Sequence, residues 1–130
     1  MDNNITRWHR DMDKEIFAKM KPGDKWADLS ARDRKRIGYN DDSFNDKWKR
    51  LARDRPSHTI VAHLQKDGYM FIHPTEHRTI SVREAARLQS FPDSFVFCGG
   101  RGSQFRQVGN AVPPLLAMAV GKTVLKILQS

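Results

Sequence analysis

Arg78-Thr79-Ile80-Ser81-Val82-Arg83-Glu84-Ala85-Ala86-Arg87-Leu88-Gln89-Ser90-Phe91-Pro92 is the stretch from which the chain is best read. Ser81 stands three residues before Glu84, the spacing of a capping box. The serine hydroxyl accepts from the backbone N–H of Glu84, and the glutamate reaches back to the N–H of Ser81. The helix that follows is expected to stop by Ser90, because Phe91 precedes Pro92 and the residue before a proline avoids helical geometry. Val82, Ala85, Ala86 and Gln89 share one side at helical spacing. The two alanines are small enough for another element to come close. Arg83 and Arg87, four apart, point the same way. Taken locally, this is a short capped helix with two guanidinium groups, and a solvated basic face accounts for it.

A second stretch gives that helix a context. Gln107-Val108-Gly109-Asn110-Ala111-Val112-Pro113-Pro114-Leu115-Leu116-Ala117 follows it. Together the two resemble, in order and spacing, the last two sequence motifs of DNA cytosine-5 methyltransferases. The first is similar to that family's "R-E-A-A-R-L-Q-x-F-P" helix, the second to its "Q-x-G-N-A-V-P-P-x-L-A" segment. Arg55-Pro56-Ser57-His58-Thr59-Ile60-Val61 resembles the "R-P-x-x-T-I-x" segment near the end of the family's target recognition domain.

The chain has 130 residues, 38% hydrophobic and 29% charged. Its mean hydropathy is −0.68. That suits a small, surface-rich domain or a piece of a larger one. No apolar run of membrane-spanning length is evident, and the N-terminus has no secretory pattern. One cysteine excludes an internal disulfide framework and makes the cytoplasm the default location. A formal net charge of +8 attracts polyanions, nucleic acid above all.

Along the chain, residues 5–20 read as an amphipathic helix through Ile5, Trp8, Met12, Ile16 and Met20. Lys21-Pro22-Gly23-Asp24 is a turn. Ser30 caps a second helix over 31–37, stopped by Gly38 and carrying Arg32, Arg34, Lys35 and Arg36. Phe44, Trp48 and Leu51 continue at helical spacing, with Lys47, Lys49, Arg50 and Arg53 around them. Each basic cluster has two readings: a solvated rim, or a face that contacts phosphates. Thr59 to Leu64 and Tyr69 to Ile72 read as two strands of a hairpin, joined by Lys66-Asp67-Gly68. Residues 95–105 read as a Gly-rich loop. A last helix is expected over 113–128, with prolines in its first turn. Its stripe of Leu116, Val120, Val124, Ile127 and Leu128 is wide enough to need burial against something larger than this chain's short elements.

Other signals are discounted. Gly121-Lys122-Thr123 lacks the earlier glycine of a phosphate-binding loop. Gly99-Gly100-Arg101-Gly102 lacks dinucleotide-fingerprint spacing. His73 and His77 are separated by Pro74, against a metal-binding helix. Cys98 has no identifiable base near it.

The fold class expected is α+β: mostly short helices with a β-hairpin, similar to the C-terminal piece of a Rossmann-like methyltransferase. Residues 1–80 would be the end of a target recognition domain. Residues 81–130 would be the closing helix, Gly-rich loop and returning helix that complete the catalytic domain. The resemblance implies methylation of cytosine carbon 5 in double-stranded DNA, with S-adenosylmethionine as donor. It assigns Asn110 and Ala111 to the donor pocket, and Arg83, Glu84 and Arg87 to the junction between domains. Arg32, Arg34, Lys35, Arg36, Lys47, Lys49, Arg50 and Arg53 are the candidate DNA contacts. The family's nucleophilic cysteine lies in a Pro-Cys-Gln loop, which this sequence lacks, and Cys98 follows Phe97. The chain alone is therefore expected to be inactive. It would act with a catalytic polypeptide, as a fragment or a split subunit, and self-association is a further expectation. The alternatives are a basic nucleic-acid-binding module and a degenerate remnant.

Overall fold

A computed structural model describes residues 2–38 and 47–130. Its helices are α1 (Asp11–Lys19), α2 (Ala31–Ile37), α3 (Val82–Leu88), α4 (Arg101–Asn110) and α5 (Pro114–Gln129). Short 3-10 turns occupy Trp26–Asp28, Ala62–Gln65 and Tyr69–Phe71. Isolated bridges align Lys25 with Lys49, Arg50 with Ile72 and Ile72 with Thr79.

The first helix is shorter than its apolar spacing suggests. Residues 4–9 are not helical, and the Arg10 N–H donates to Asp13 Oδ2 (3.2 Å) at the helix start. This N-terminal arm instead runs across the beginning of α3. The Ile5 carbonyl accepts from the Val82 N–H (3.2 Å) and the Asn3 carbonyl from the Arg83 N–H (3.0 Å). α2 forms as its capping residues dictate. Ser30 Oγ accepts from the Asp33 N–H, and Gly38 closes the helix at φ 80°, a conformation glycine adopts without steric cost.

Two expected elements are absent among the described residues. The hairpin over Thr59–Leu64 and Tyr69–Ile72 does not form. The Leu64 N–H bonds locally to the Val61 carbonyl (3.0 Å), and the Lys66 and Asp67 N–H groups both bond to the His63 carbonyl (2.9 Å). Tertiary packing overrides β-propensity here, because Leu64 is drawn under α4 beside Phe105 and Val108. Gly109 makes that approach possible: a Cβ there would stand 2.9 Å from the Val61 carbonyl oxygen. The helix expected through Trp48 and Leu51 is also replaced, by extended backbone bridged at Lys49 and Arg50. Phe44, its first apolar residue, and the polar loop before it lie outside the described residues. The Gly-rich loop is shorter than expected, because α4 begins at Arg101 and buries Gln104, Phe105 and Val108 at helical spacing.

Two apolar clusters hold these elements. One unites Leu51, Ile60, Leu64, Phe71 and Ile80 with Val82, Ala85 and Ala86 of α3 and Phe105 and Val108 of α4. The other gathers Ile16, Phe17 and Met20 of α1 around Trp26, Trp48 and Ile72. Trp48 stacks on Tyr69 with ring centroids 4.8 Å apart. Arg50 joins the clusters. Its guanidinium, buried at 5% exposure, donates to the carbonyls of Phe17, Met20 (2.9 Å), Pro74 (3.1 Å) and Glu76 (3.2 Å).

α5 stands apart: none of its residues is buried. By length and composition the stretch Arg101–Gln129 is apolar enough to cross a membrane. The Ala111-Val112-Pro113 link divides it, however. At 1.5 Å per residue α5 spans ~24 Å, short of the ~30 Å hydrocarbon core, and it carries Lys122 and Lys126.

Candidate functional site

The site is built around α3, whose leading N–H groups are all satisfied. Val82 and Arg83 donate to the N-terminal arm. Glu84 donates to Ser81 Oγ (3.1 Å), while Glu84 Oε2 accepts from the Ser81 N–H (2.7 Å). This is the capping box that the sequence predicts. The Glu84 carboxylate is also gripped by Arg78, with Nη1–Oε2 2.7 Å and Nη2–Oε1 2.8 Å. Burial works against its charge, but the Arg78 and Ser81 hydrogen bonds prevail and hold its pKa at about 2. Arg78 is correspondingly raised. Such bidentate, charge-assisted pairs are among the stronger polar contacts.

Arg83 and Arg87 point the same way in sequence but meet different surroundings. Arg83 is fully buried. Its guanidinium donates to the carbonyls of Asp2 (3.1 Å), Pro92 (3.2 Å) and Phe95 (2.6 Å) and to Asn3 Oδ1 (3.3 Å). It thereby ties the N-terminal arm to the loop after α3. Arg87 is exposed and pairs with Asp93 at 2.7 and 2.8 Å.

The C-terminal end of α3 reaches the second motif. Gln89 Nε2 donates to the carbonyls of Val108 (3.1 Å) and Ala111 (3.3 Å). Ser90, at φ 61°, accepts with Oγ from the Leu115 N–H (3.2 Å) at the start of α5. The turn between α4 and α5 is therefore held from below by two adjacent residues of the first motif. At its top Asn110 is exposed and Ala111 half-buried. Gln89 entered the sequence reading only as a face residue, and Ser90 only as a helix stop. Their bonds to the second motif depend on tertiary contacts that no spacing encodes.

The basic residues divide. On α2, Arg32 and Lys35 are exposed, Arg34 reaches the Ala27 carbonyl (3.2 Å), and Arg36 pairs with Glu15 (3.0 Å). Lys47 lies over the Trp26 ring at 5.4 Å, Lys49 is half-buried, and Arg53 is exposed. Arg50, inward and hydrogen-bonded to four carbonyls, is a structural pin rather than a surface contact. Arg53 and Arg87 border a cleft of about 320 Å³ between the Ala52–Ser57 backbone and α3. Cys98 is exposed, and the described residues include no cluster of metal-ligand type.

The two motifs, locked to each other in this way, define a class. The family of C-5 cytosine-specific DNA methylases matches residues 2–126, and the chain belongs to it. Among its relatives, type II methyltransferase M.AgeI of Thalassovita gelatinovora is 56% identical over 81 residues, covering 62% of this chain and 19% of that one. M.Sau96I of Staphylococcus aureus is 36% identical over 124 residues, covering 92% of this chain and 29% of that one. M.Eco47II of Escherichia coli is 37% identical over 118 residues, covering 88% and 28%. The chain thus spans between about a fifth and a third of the length of the curated relatives it matches.

Proposed function

We propose that this chain is the C-terminal segment of a DNA (cytosine-5-)-methyltransferase. It supplies part of the DNA-docking surface and completes the S-adenosylmethionine pocket of a catalytic part that it does not itself contain. The observation that carries the reading is the lock between the motifs: Gln89 and Ser90 hold the Asn110–Ala111 turn and the start of α5. A turn held so firmly, with an asparagine amide outward, suits a small polar ligand shared with a second surface. Asn110 and Ala111 fit the amino-acid end of the donor, which brings the electrophilic methyl group. The residues of this chain would orient that end and exclude water. α5, apolar and uncovered, is the face that meets the catalytic part. Arg83, Glu84 and Arg87 order the junction. Arg32, Arg34, Lys35, Arg36, Lys47, Lys49 and Arg53 face DNA phosphates. The setting is cytoplasmic DNA within restriction-modification.

The chemistry needs a thiolate that adds to cytosine C6 in a flipped-out base. Cys98 lacks the flanking residues for that role, so no methyl transfer is expected from the chain alone. Incubation with duplex DNA and labelled donor tests this, and incorporation by a Cys98→Ala variant would refute it. Donor titration of a complex with a catalytic polypeptide bearing a Pro-Cys-Gln loop tests the pocket. Asn110→Ala should weaken donor binding far more than DNA binding, and equal losses would count against the assignment.

A further inference from the structure

The N-terminal arm does more than cross α3. Two of its residues also meet α4, the helix that ends at Asn110. Arg7 Nη1 donates to the Gln65 carbonyl (3.0 Å), and Nη2 donates to the Leu64 carbonyl. The same guanidinium lies over the Phe105 ring, its carbon 4.4 Å from the centroid. One side chain thus grips the end of the Ala62–Gln65 turn and the flank of the helix seated on that turn. α4 answers from its first residue, where Arg101 Nη1 donates to the Thr6 carbonyl (3.1 Å). Hydrogen bonds from a charged donor are stronger than neutral ones, and the cation over the ring adds to them. Leu64, Phe105 and Val108 share one apolar cluster, and Gly109 rests on Val61 and Ala62. A tilt of α4 on the turn would therefore carry its C-terminal end with it. From Phe105 to Asn110 the helix rises only about 7.5 Å.

Gln89 and Ser90 hold the turn after α4 from the α3 side. Arg7 holds the body of α4 from the arm. Together the two restraints fix where Asn110 and Ala111 stand. We infer that Arg7 is a positioning residue for the methyl donor: it seats α4 on the Ala62–Gln65 turn so that Asn110 and Ala111 meet the amino-acid end of S-adenosylmethionine. This role rests on the donor-pocket reading above and deepens it. A site is precise when the groups that make its contacts are themselves held by packing and hydrogen bonds. Arg7 uses both features of a guanidinium. Its fork spans two successive carbonyls, and its flat face covers the ring. An ammonium has neither. Gly68 completes the arrangement: a Cβ there would stand 2.6 Å from Arg7 Nε, so only glycine leaves Arg7 its place.

The test uses the full chain in complex with a catalytic polypeptide bearing a Pro-Cys-Gln loop. Calorimetry gives S-adenosylmethionine affinity, a fluorescent duplex gives DNA affinity, and sedimentation checks assembly. Arg7→Met should weaken donor binding by roughly 3- to 10-fold, the range for residues acting through a packed network, with duplex affinity unchanged. Gly68→Ala leaves Arg7 in the sequence but crowds it. It should act in the same direction, and it carries the test if Arg7→Met does not fold. In an Asn110→Ala background the Arg7→Met loss should shrink, since a residue acting through Asn110 adds little once that amide is gone. Leu29→Ala, in the other apolar cluster, is the control for lost stability and should leave donor affinity unchanged. Arg7 serves the fold alone if donor affinity is unchanged in both arm variants, falls equally in Leu29→Ala, or falls additively with Asn110→Ala. Each of these overturns the assignment and leaves the pocket reading standing. If Asn110→Ala itself leaves donor affinity unaltered, the pocket reading and the role of Arg7 fall together.

Discussion

The Gln89 side-chain amide donates to the main-chain carbonyl of Ala111, 22 residues away, at 3.3 Å. It also donates to Val108, and it is 6% exposed. The Val108 carbonyl also accepts from the Ala111 N–H (3.3 Å), so the Ala111 carbonyl is the one that leans on Gln89. Gln89→Ala should remove both side-chain bonds and cost about 1–3 kcal/mol. Urea denaturation measures that. In a complex with a catalytic polypeptide, the same variant should weaken donor binding, because the Asn110–Ala111 turn loses its support. Unchanged stability would show that water replaces the amide.

Arg83 should be less replaceable. It is fully buried and bonded to four oxygens on two separate segments, residues 2–3 and 92–95. Arg83→Met keeps much of the volume but strands those acceptors. The loss should reach about 3 kcal/mol, the upper end of the range for buried acceptors left without a donor. Arg83→Lys should not rescue it, since one ammonium cannot meet a planar, forked set of acceptors. A full rescue by lysine, in denaturant titration, would contradict this account.

Stability should decline as pH falls, in two steps of different origin. His9 is buried and accepts at Nε2 from the Thr79 N–H (3.1 Å). Burial lowers its pKa from 6.5, with Arg7, Lys14 and Arg101 adding to the effect and Asp13 opposing it. A lowered histidine favours the neutral form in the folded chain. Its contribution is therefore complete above about pH 6.5 and lost as pH falls through the lower folded value. Glu84, held at about 2, contributes above the ordinary carboxylate range and loses that contribution as pH falls towards 2. Melting temperature against pH should show a flatter upper step in His9→Gln and a flatter lower step in Glu84→Gln. Parallel curves for all three proteins would refute the assignment.

Gly109→Ala should destabilise although α4 favours alanine by propensity. The new Cβ would meet the Val61 oxygen at 2.9 Å and the Ala62 Cα at 3.2 Å. Both are backbone atoms, so relief requires moving α4 off the Ala62–Gln65 turn. A cost of about 1–3 kcal/mol is expected, read by thermal or urea unfolding.

α5 should make the isolated chain self-associate. Leu116, Val120, Val124 and Ile127 are 47–67% exposed, a continuous apolar face. Sedimentation should show a concentration-dependent increase in mass that Val120→Lys with Val124→Lys abolishes. A chain that sediments as a monomer at all concentrations would contradict this.

Where local chemistry decided, the sequence alone was enough. Ser81 and Glu84 specify a capping box, Ser30 and Gly38 bound α2, and the prolines at 113 and 114 mark the start of α5. Each depends on atoms within a few residues of one another, so spacing carries the information. The order of the two motifs likewise sufficed for the family. Elements whose partners lie far along the chain behaved differently. Residues 59–64 have strand propensity, but α4 pressed onto Val61 and Ala62 makes them a turn. Residues 5–10 have helical spacing, but the start of α3 takes the carbonyls of Asn3 and Ile5, and the stretch is not helical. Arg50 and Arg53 belong to one basic cluster in sequence. Only packing turned the first inward to four carbonyls and left the second exposed at the mouth of a cleft. Gln89 meeting Ala111 is decided the same way. A hydrogen bond or a charge field depends on distance in space, and a sequence records only distance along the chain.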